Sequence, residues 1–491
     1  MILKINGNIK PYYVQTLCMI FFPGAKFPEN EELTSDTVVA EVTVTEKSNG
    51  VYASSVLRAG DKSASADAFA PWNTDADRDR VVKIAAGDSF MKAGVEFTGY
   101  TPPWGILTGV RPAKVATEFL EKGLSKEECA ARIADEYFVS PVKARLAVDV
   151  AAAEARLITP EKRRECSVYI GIPFCPTRCA YCSFVSYTSP GLLKLIPQYL
   201  NKLSRDVDRI FSVIRELDMK VSSVYIGGGT PTILTAEQLE ILLSKVNEYV
   251  TDIEEFTLEA GRPDTITAEK LAVAAKHGVD RISVNPQTLN DEVLEKIGRA
   301  HNTEMFYEAY KTAKVSGIKH VNVDLIAGLP YDTTESFKNT VDRIIELDPE
   351  NITVHTFSVK KASVFRTEGK YDRSSLVAEE SVDYSQKALT YAGYLPYYMY
   401  RQKNTVGNLE NVGYAKSGHE GLYNIYMMEE VQSIFAAGAS SVTKLVSLPD
   451  ENGSVRIERL FEPKYPYEYL EDGGNDRTEI LRKTAVEFFA K

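Results

Sequence analysis

From Ser167 onward, short apolar runs alternate with longer amphipathic stretches. The runs are Ser167–Ile172, Val221–Ile226, Glu255–Leu258, Arg281–Val284, His320–Ile326 and Asn351–Phe357. Between them, Tyr199–Leu217, Ala236–Tyr249, Ala268–His277, Met305–Val315 and Glu335–Leu347 place apolar residues three and four apart, the period of a helix with one buried face. Six strands alternating with helices predict βαβ units and an α/β fold with a parallel sheet, either doubly wound or curled as a barrel. In both architectures ligands gather at the C-terminal ends of the strands. The unusual residues of this chain fall there: Pro173-Phe174-Cys175, Gly227-Gly228-Gly229-Thr230-Pro231, Glu259, Asn285-Pro286-Gln287, and Asp324 shortly before Gly328-Leu329-Pro330.

The remainder has a different texture. β-branched alternation over Thr37–Thr45 and Val51–Leu57 predicts strands, and helical spacing sets in from Trp104, with Ser125 and Ser140 placed as N-caps. Arg156–Arg164, with Pro160 among charges, reads as a linker. Near the end, Asn452-Gly453 between apolar runs predicts a hairpin, and Glu479–Lys491 a closing helix. The expected division is a β-rich domain over 1–100, a helical region and linker over 101–164, an α/β domain over 165–395, and a small α+β extension over 396–491 covering the substrate side.

Composition narrows the chemistry. With 57 Lys+Arg against 68 Asp+Glu the net charge is −11, which argues against a nucleic-acid surface. No basic stretch followed by an apolar run opens the chain, and Leu17–Pro23 is too short to cross a bilayer, so a cytoplasmic protein with reduced thiols is expected. Three of the six cysteines, Cys175, Cys179 and Cys182, stand in a C-x3-C-x2-C segment just after the first strand of the α/β domain. Three thiolates on one loop can converge on one metal centre. Structural zinc wants four ligands, and no further Cys or His lies near in sequence, so zinc would need a distant His; three ligands on a four-iron cube leave one iron open. Cys18, Cys129 and Cys166 are scattered and read as small buried hydrophobes.

The cysteine segment with Tyr181 before its third Cys, the neighbouring Ile172-Pro173-Phe174-Cys175, Gly227–Thr232 (GGGTPT) and Asp324–Pro330 (DLIAGLP) together resemble the radical S-adenosylmethionine (SAM) enzymes. The closest resemblance is to the oxygen-independent coproporphyrinogen III oxidase family. The additional Leu107–Lys114 (LTGVRPAK) points to its HemZ-type branch. This resemblance implies a partial six-stranded β/α barrel and a 4Fe–4S cluster on Cys175, Cys179 and Cys182. It also implies SAM contacts from Tyr169, Tyr181, Gly228, Gly229, Thr230 and the ribose-binding acid Glu259. In the well-studied oxidases the positions of Gln287, Arg299 and Asp324 hold a second SAM. The implied activity is oxidative decarboxylation of coproporphyrinogen III to protoporphyrinogen IX, fed by a reduced flavodoxin- or ferredoxin-type donor. No side chain is singled out as a catalytic acid or base.

Taken without the family, Tyr169 equally suits strand packing, Glu259 a solvated strand-end charge and Arg299 a solvated helix-end cation; a buried Asp324 is harder to explain away, because an unpaired buried carboxylate is costly. Arg299, Lys360, Lys361, Arg401 and Lys403 are candidate cations for an anionic substrate. The aromatic run Tyr394–Tyr400 suits either a macrocycle site or a core. Two positions depart from the oxidases: Gly171 stands where they often have His, and Phe184 where they carry a fourth Cys. The second departure opens two alternatives, a haem-binding carrier without decarboxylase activity and a radical SAM enzyme that modifies haem itself.

Overall fold

A computed structural model describes residues 1–28, 34, 36–72, 77–109, 111–182, 187–358, 376–402, 405–451, 453–471 and 477–490. Phe184, Lys360, Lys361, Lys403, Asn452 and Val110 of the LTGVRPAK segment lie outside the described residues. The chain divides into two compact units, Met1–Ala152 with Arg373–Glu379 and Met399–Glu410, and Ala153–Asp372 with Glu380–Tyr398 and Asn411–Lys491.

The first unit holds a four-stranded sheet of β1 (Ile2–Asn6), β2 (Val39–Lys47), β3 (Gly50–Ala59) and β4 (Lys62–Pro71), in that order. Ala40, Val42 and Val44 of β2 are buried at every second position, the pattern of a sheet with one covered face. Two helices accompany this sheet, Pro11–Phe21 and Arg78–Thr98, neither of which the alternation pattern predicted. The second is built on small residues. Gly94 has no room for a side chain, since a Cβ there would meet the Phe21 ring at 2.5 Å, so the two helices touch backbone to ring. Both expected N-caps form: Ser125 and Glu128 make a capping box for Lys126–Tyr137, and the Ser140 hydroxyl accepts from the Lys143 amide at 3.4 Å.

The same unit corrects the reading of Arg401 as a substrate-facing cation. Its guanidinium is 4% exposed, lies over the Trp104 ring, and donates to the Asn408 and Leu107 carbonyls. Beside it Lys143 and Glu410, both sealed from solvent, pair at 2.7 Å, and the Trp104 indole donates to the same carboxylate at 2.6 Å. Arg401 is thus part of a buried polar network, and its interaction with Leu107 gives the start of the LTGVRPAK segment a structural role.

The second unit is mixed α/β. β5 (Cys166–Ile172), β6 (Val221–Gly228), β7 (Glu255–Leu258), β8 (Arg281–Ser283), β9 (His320–Ala327) and β10 (Asn351–Thr356) run parallel and adjacent in chain order. The sheet extends past β10 through β12 (Glu410–Ala415) to β11 (Leu395–Arg401), and past β5 through β13 (Ser433–Ala437), β14 (Val442–Val446) and β15 (Ile457–Phe461). The C-terminal strands therefore continue the sheet of the α/β domain, with β13 parallel to β5 and β12 antiparallel to β10. The interstrand helices start where side chains satisfy their free amides, at Thr235 with Gln238, Asn290, Asn302 and Thr333. Among the described residues no helix is long and apolar enough to cross a membrane.

The N-terminal ends of three strands are closed by a buried polar cluster. Glu255 and Arg281, the first residues of β7 and β8, pair at 3.1 Å with side chains 4% and 7% exposed. Arg281 also bonds Asn351, the first residue of β10, and the carbonyls of His419 and Glu420. The Glu255 carboxylate accepts the amides of Leu422 and Tyr423, capping the helix Leu422–Met428. That helix closes one end of the strands and carries Tyr423 inward among them.

Candidate cofactor site

The loop after β5 brings the three cysteines into one neighbourhood. Cys175 and Cys179 are buried and Cys182 is partly exposed. Burial pushes the Cys175 thiol up to about 11, and Cys182 and Cys179 add to the rise, so ionising one thiol works against the others. A cationic iron–sulfur cluster relieves that conflict, because its ligands are thiolates. Among the described residues no three His, Cys, Asp or Glu side chains close tightly enough on one point for a single metal ion. A four-iron cluster asks for thiolates set around a larger body.

Backbone openness supplies the neighbouring space. Gly228 has φ +110°, and a Cβ on Gly229 would come within 2.9 Å of Cys175 Sγ and 2.6 Å of the Phe174 carbonyl. A Cβ on Gly227 would meet Glu259 Oε2 at 2.7 Å. Side chains at these positions would collide with the cysteine loop and Glu259, so glycine lets the backbone approach both closely. Thr230, fully buried, donates its hydroxyl to Cys175 Sγ at 3.3 Å.

Glu259 accepts the Gly228 amide at 3.3 Å. Burial, and next the charge of Asp324, push its carboxyl up to about 8 against the Gly228 amide and the Tyr225 hydroxyl. Asp324 goes the other way. Burial raises it, but His355, Asn322 and Thr353 outweigh that and hold it below the usual carboxylate range. Asn322 and Asn285 donate to its two oxygens at 2.7 and 2.8 Å, and His355 Nε2 lies 3.6 Å away. One rim thus carries two acids with opposite tendencies, one able to keep a proton near neutral pH and one held as an anion.

Tyr169 does not only pack its strand. It lies opposite Tyr225 in the β5–β6 register, and both rings stack with Tyr423, at centroid distances of 6.1, 6.4 and 4.6 Å for the three pairs. Gln287 has φ +72°, an uncommon conformation for a side-chain-bearing residue, and its buried Oε1 has no hydrogen-bond partner. Arg299 is 8% exposed, donating to the Asn285 and Gly261 carbonyls, so the reading of a solvated helix-end cation does not hold. Arg299 and Tyr181 influence each other electrostatically, and both feel Cys179 and Cys182. Cys175, Gly229 and Thr230 thus lie against one another and Gly228 against Glu259. Arg299 and Asp324 are joined through Asn285, Gln287 bonds the Asp324 backbone, and Tyr169 sits mid-strand in the aromatic stack.

Sequence reasoning did not single out Tyr225, Tyr423 or His355, which the structure sets against Tyr169 and Asp324. Tyr225 carried a signal, since it is a tyrosine inside the second apolar run as Tyr169 is inside the first. Tyr423 comes from more than 160 positions beyond β7 and carried none.

The family profile described as Radical SAM superfamily matches residues 169–344. The oxygen-independent coproporphyrinogen-III oxidase-like protein HemZ of Bacillus subtilis (strain 168) is 36% identical over 470 residues, spanning 93% of this chain and 92% of that protein. The heme chaperone HemW of the same organism is 31% identical over 310 residues, spanning 61% and 77%. Among solved structures, coproporphyrinogen III oxidase (HemN) from Escherichia coli covers 60% of this chain and 67% of its own at 24% identity, with a TM-score of 0.46. With a relative this similar over nearly its whole length, the chain belongs to the radical SAM superfamily and, within it, to the oxygen-independent coproporphyrinogen III oxidase-like family of HemZ.

Proposed function

We propose that the protein is a radical SAM enzyme that decarboxylates two propionates of coproporphyrinogen III to the vinyl groups of protoporphyrinogen IX. The observation that carries this reading is the single rim on which the cysteine loop, the open glycine backbone, Glu259, and the trio Gln287, Arg299 and Asp324 meet. The name of the Bacillus subtilis relative, oxidase-like, supports the same substrate class. We read β5–β10 as an incomplete six-stranded β/α barrel, with residues 396–491 on its substrate side.

When bound, a 4Fe–4S cluster and SAM would supply the radical chemistry that removes a hydrogen atom from a propionate β-carbon, with CO2 leaving and the remaining electron passing to an external one-electron acceptor so that a vinyl group results. Cys175, Cys179 and Cys182 would hold the cluster. Gly228, Gly229 and Thr230, whose amides are engaged by Glu259, Ile172 and Phe174, would meet the amino-acid end of SAM through backbone carbonyls, and Glu259 would accept hydrogen bonds from its ribose hydroxyls. Tyr169 and Tyr181 would flank it. Gln287, with its free oxygen, Arg299 and Asp324 would hold a second SAM or orient the substrate. The protein's part is orientation and exclusion of water.

The test is anaerobic reconstitution with iron and sulfide, followed by incubation with SAM, a low-potential reductant and coproporphyrinogen III. CO2 and vinyl porphyrin are expected; SAM cleavage without either product would sink the substrate assignment. Phe184, where the oxidases carry a fourth Cys, favours a second reading as a haem carrier, to which the similarity to HemW lends weight. A carrier would bind haem stoichiometrically and release no vinyl product, and a haem-modifying enzyme would consume the haem.

A further inference from the structure

The turn after β7 contains a residue that the cofactor reading leaves unused. Glu259-Ala260-Gly261-Arg262-Pro263-Asp264 leaves the strand, turns at Gly261 (φ +56°) and carries the Arg262 side chain back toward the cysteine loop. Arg262 is 4% exposed, and an arginine that deep needs partners for its donors. Asp264 takes Nε at 3.0 Å and Nη2 at 3.3 Å, which offsets most of its charge. The rest of the fork points at the loop. Nη2 donates to Thr177 Oγ1 at 2.8 Å, and Nη1 to the Thr177 carbonyl and to Cys179 Sγ, both at 3.4 Å.

Thr177 lies between Cys175 and Cys179, so the fork grips the loop at its midpoint. The loop is held from a second side as well, because the Ala180 amide donates to the Ile297 carbonyl at 2.9 Å. An N–H aimed at a ligand sulfur favours the more electron-rich state of an iron–sulfur cluster, and the effect grows where water is excluded. Lysine has no planar fork with which to serve Asp264, Thr177 and Cys179 together.

We propose that Arg262 is a positioning residue for the cluster: it clamps the cysteine loop through Thr177 and, through its N–H to Cys179 Sγ, raises the cluster's reduction potential. The inference rests on the reading of Cys175, Cys179 and Cys182 as cluster ligands. It names a task that neither the glycine run nor Glu259 performs, making one-electron reduction by a low-potential donor easier.

The experiment uses the full chain, reconstituted anaerobically. Iron and sulfide are counted, and the midpoint potential is followed by electron paramagnetic resonance during titration with dithionite and mediator dyes. Because Arg262→Met alone would strand the Asp264 carboxylate, the main variant is Arg262→Met with Asp264→Asn. The expected result is a reduction equilibrium at least tenfold less favourable than in the wild type, about 59 mV for one electron. Lost iron with unchanged circular dichroism and melting also supports the clamp. A full cluster at the wild-type potential overturns the proposal. If the double variant does not fold, Arg262→Lys, which keeps the charge against Asp264, is judged by the same outcomes. Cys179→Ala separates the two layers: if that variant keeps full iron and sulfide, the ligand reading fails, and the proposal with it.

Discussion

Glu259 is a strand-end carboxyl, partly exposed yet crowded by Asp324 and the surrounding protein. Its carboxyl is pushed up to about 8 by burial and by Asp324, against about 4.3 in an unfolded chain. Between those values the folded protein keeps a proton that the unfolded chain has released. The stability of the ligand-free protein therefore falls as pH rises across that window, by up to roughly 1.4 kcal/mol per pH unit from this group, and the loss is complete above about pH 8. Glu259→Gln should flatten that part of the profile, as read by urea denaturation from pH 5 to 9. A wild-type profile that is already flat would mean the proton is not held there. The place of Glu259 at the end of β7 was legible in the sequence. Its protonation was not, because Asp324 comes from another strand, 65 positions along the chain.

Elements were legible wherever one segment determines itself. The capping box at Ser125 and Glu128 and the six parallel strands follow from local pattern and appear close to their expected bounds. The helix Arg78–Thr98 escaped because Ala and Gly make up much of its packed face, giving little apolar period. The junction of β13 with β5 could not be read, since no local signal says which strand a C-terminal run will join. Nor could the closure of the strand bases by Leu422–Met428, which depends on Glu255 accepting two amides from it. Arg281 holds that element to the sheet. Arg281→Met leaves the Glu255 charge buried without its cation and should cost about 3–5 kcal/mol in chemical denaturation. A loss below about 1 kcal/mol would place the pair among exposed ion pairs.

At the scale of the molecule, the acidic total of −11 coexists with a site whose cations, Arg262 and Arg299, are buried and already engaged. The first unit is assembled from distant stretches of the chain. Its network joins Trp104, Leu107 and Lys143 to Arg401 and Glu410, residues that come after most of the second unit. A fragment of residues 153–491 would carry Arg401 and Glu410 without these partners. It should melt at a lower temperature than the full chain or fail to stay in solution, with differential scanning calorimetry as the measurement. An unchanged melt would show that the network contributes little.

The same return of the chain sets a timetable for synthesis. About 250 residues separate Ala152 from Glu410. At about 5–20 residues per second, Lys143 leaves the ribosome some 13–50 s before its carboxylate partner is made. The helix Pro141–Leu157 must wait through that interval without the Glu410 carboxylate for its Lys143, within reach of whatever chaperone or protease arrives first.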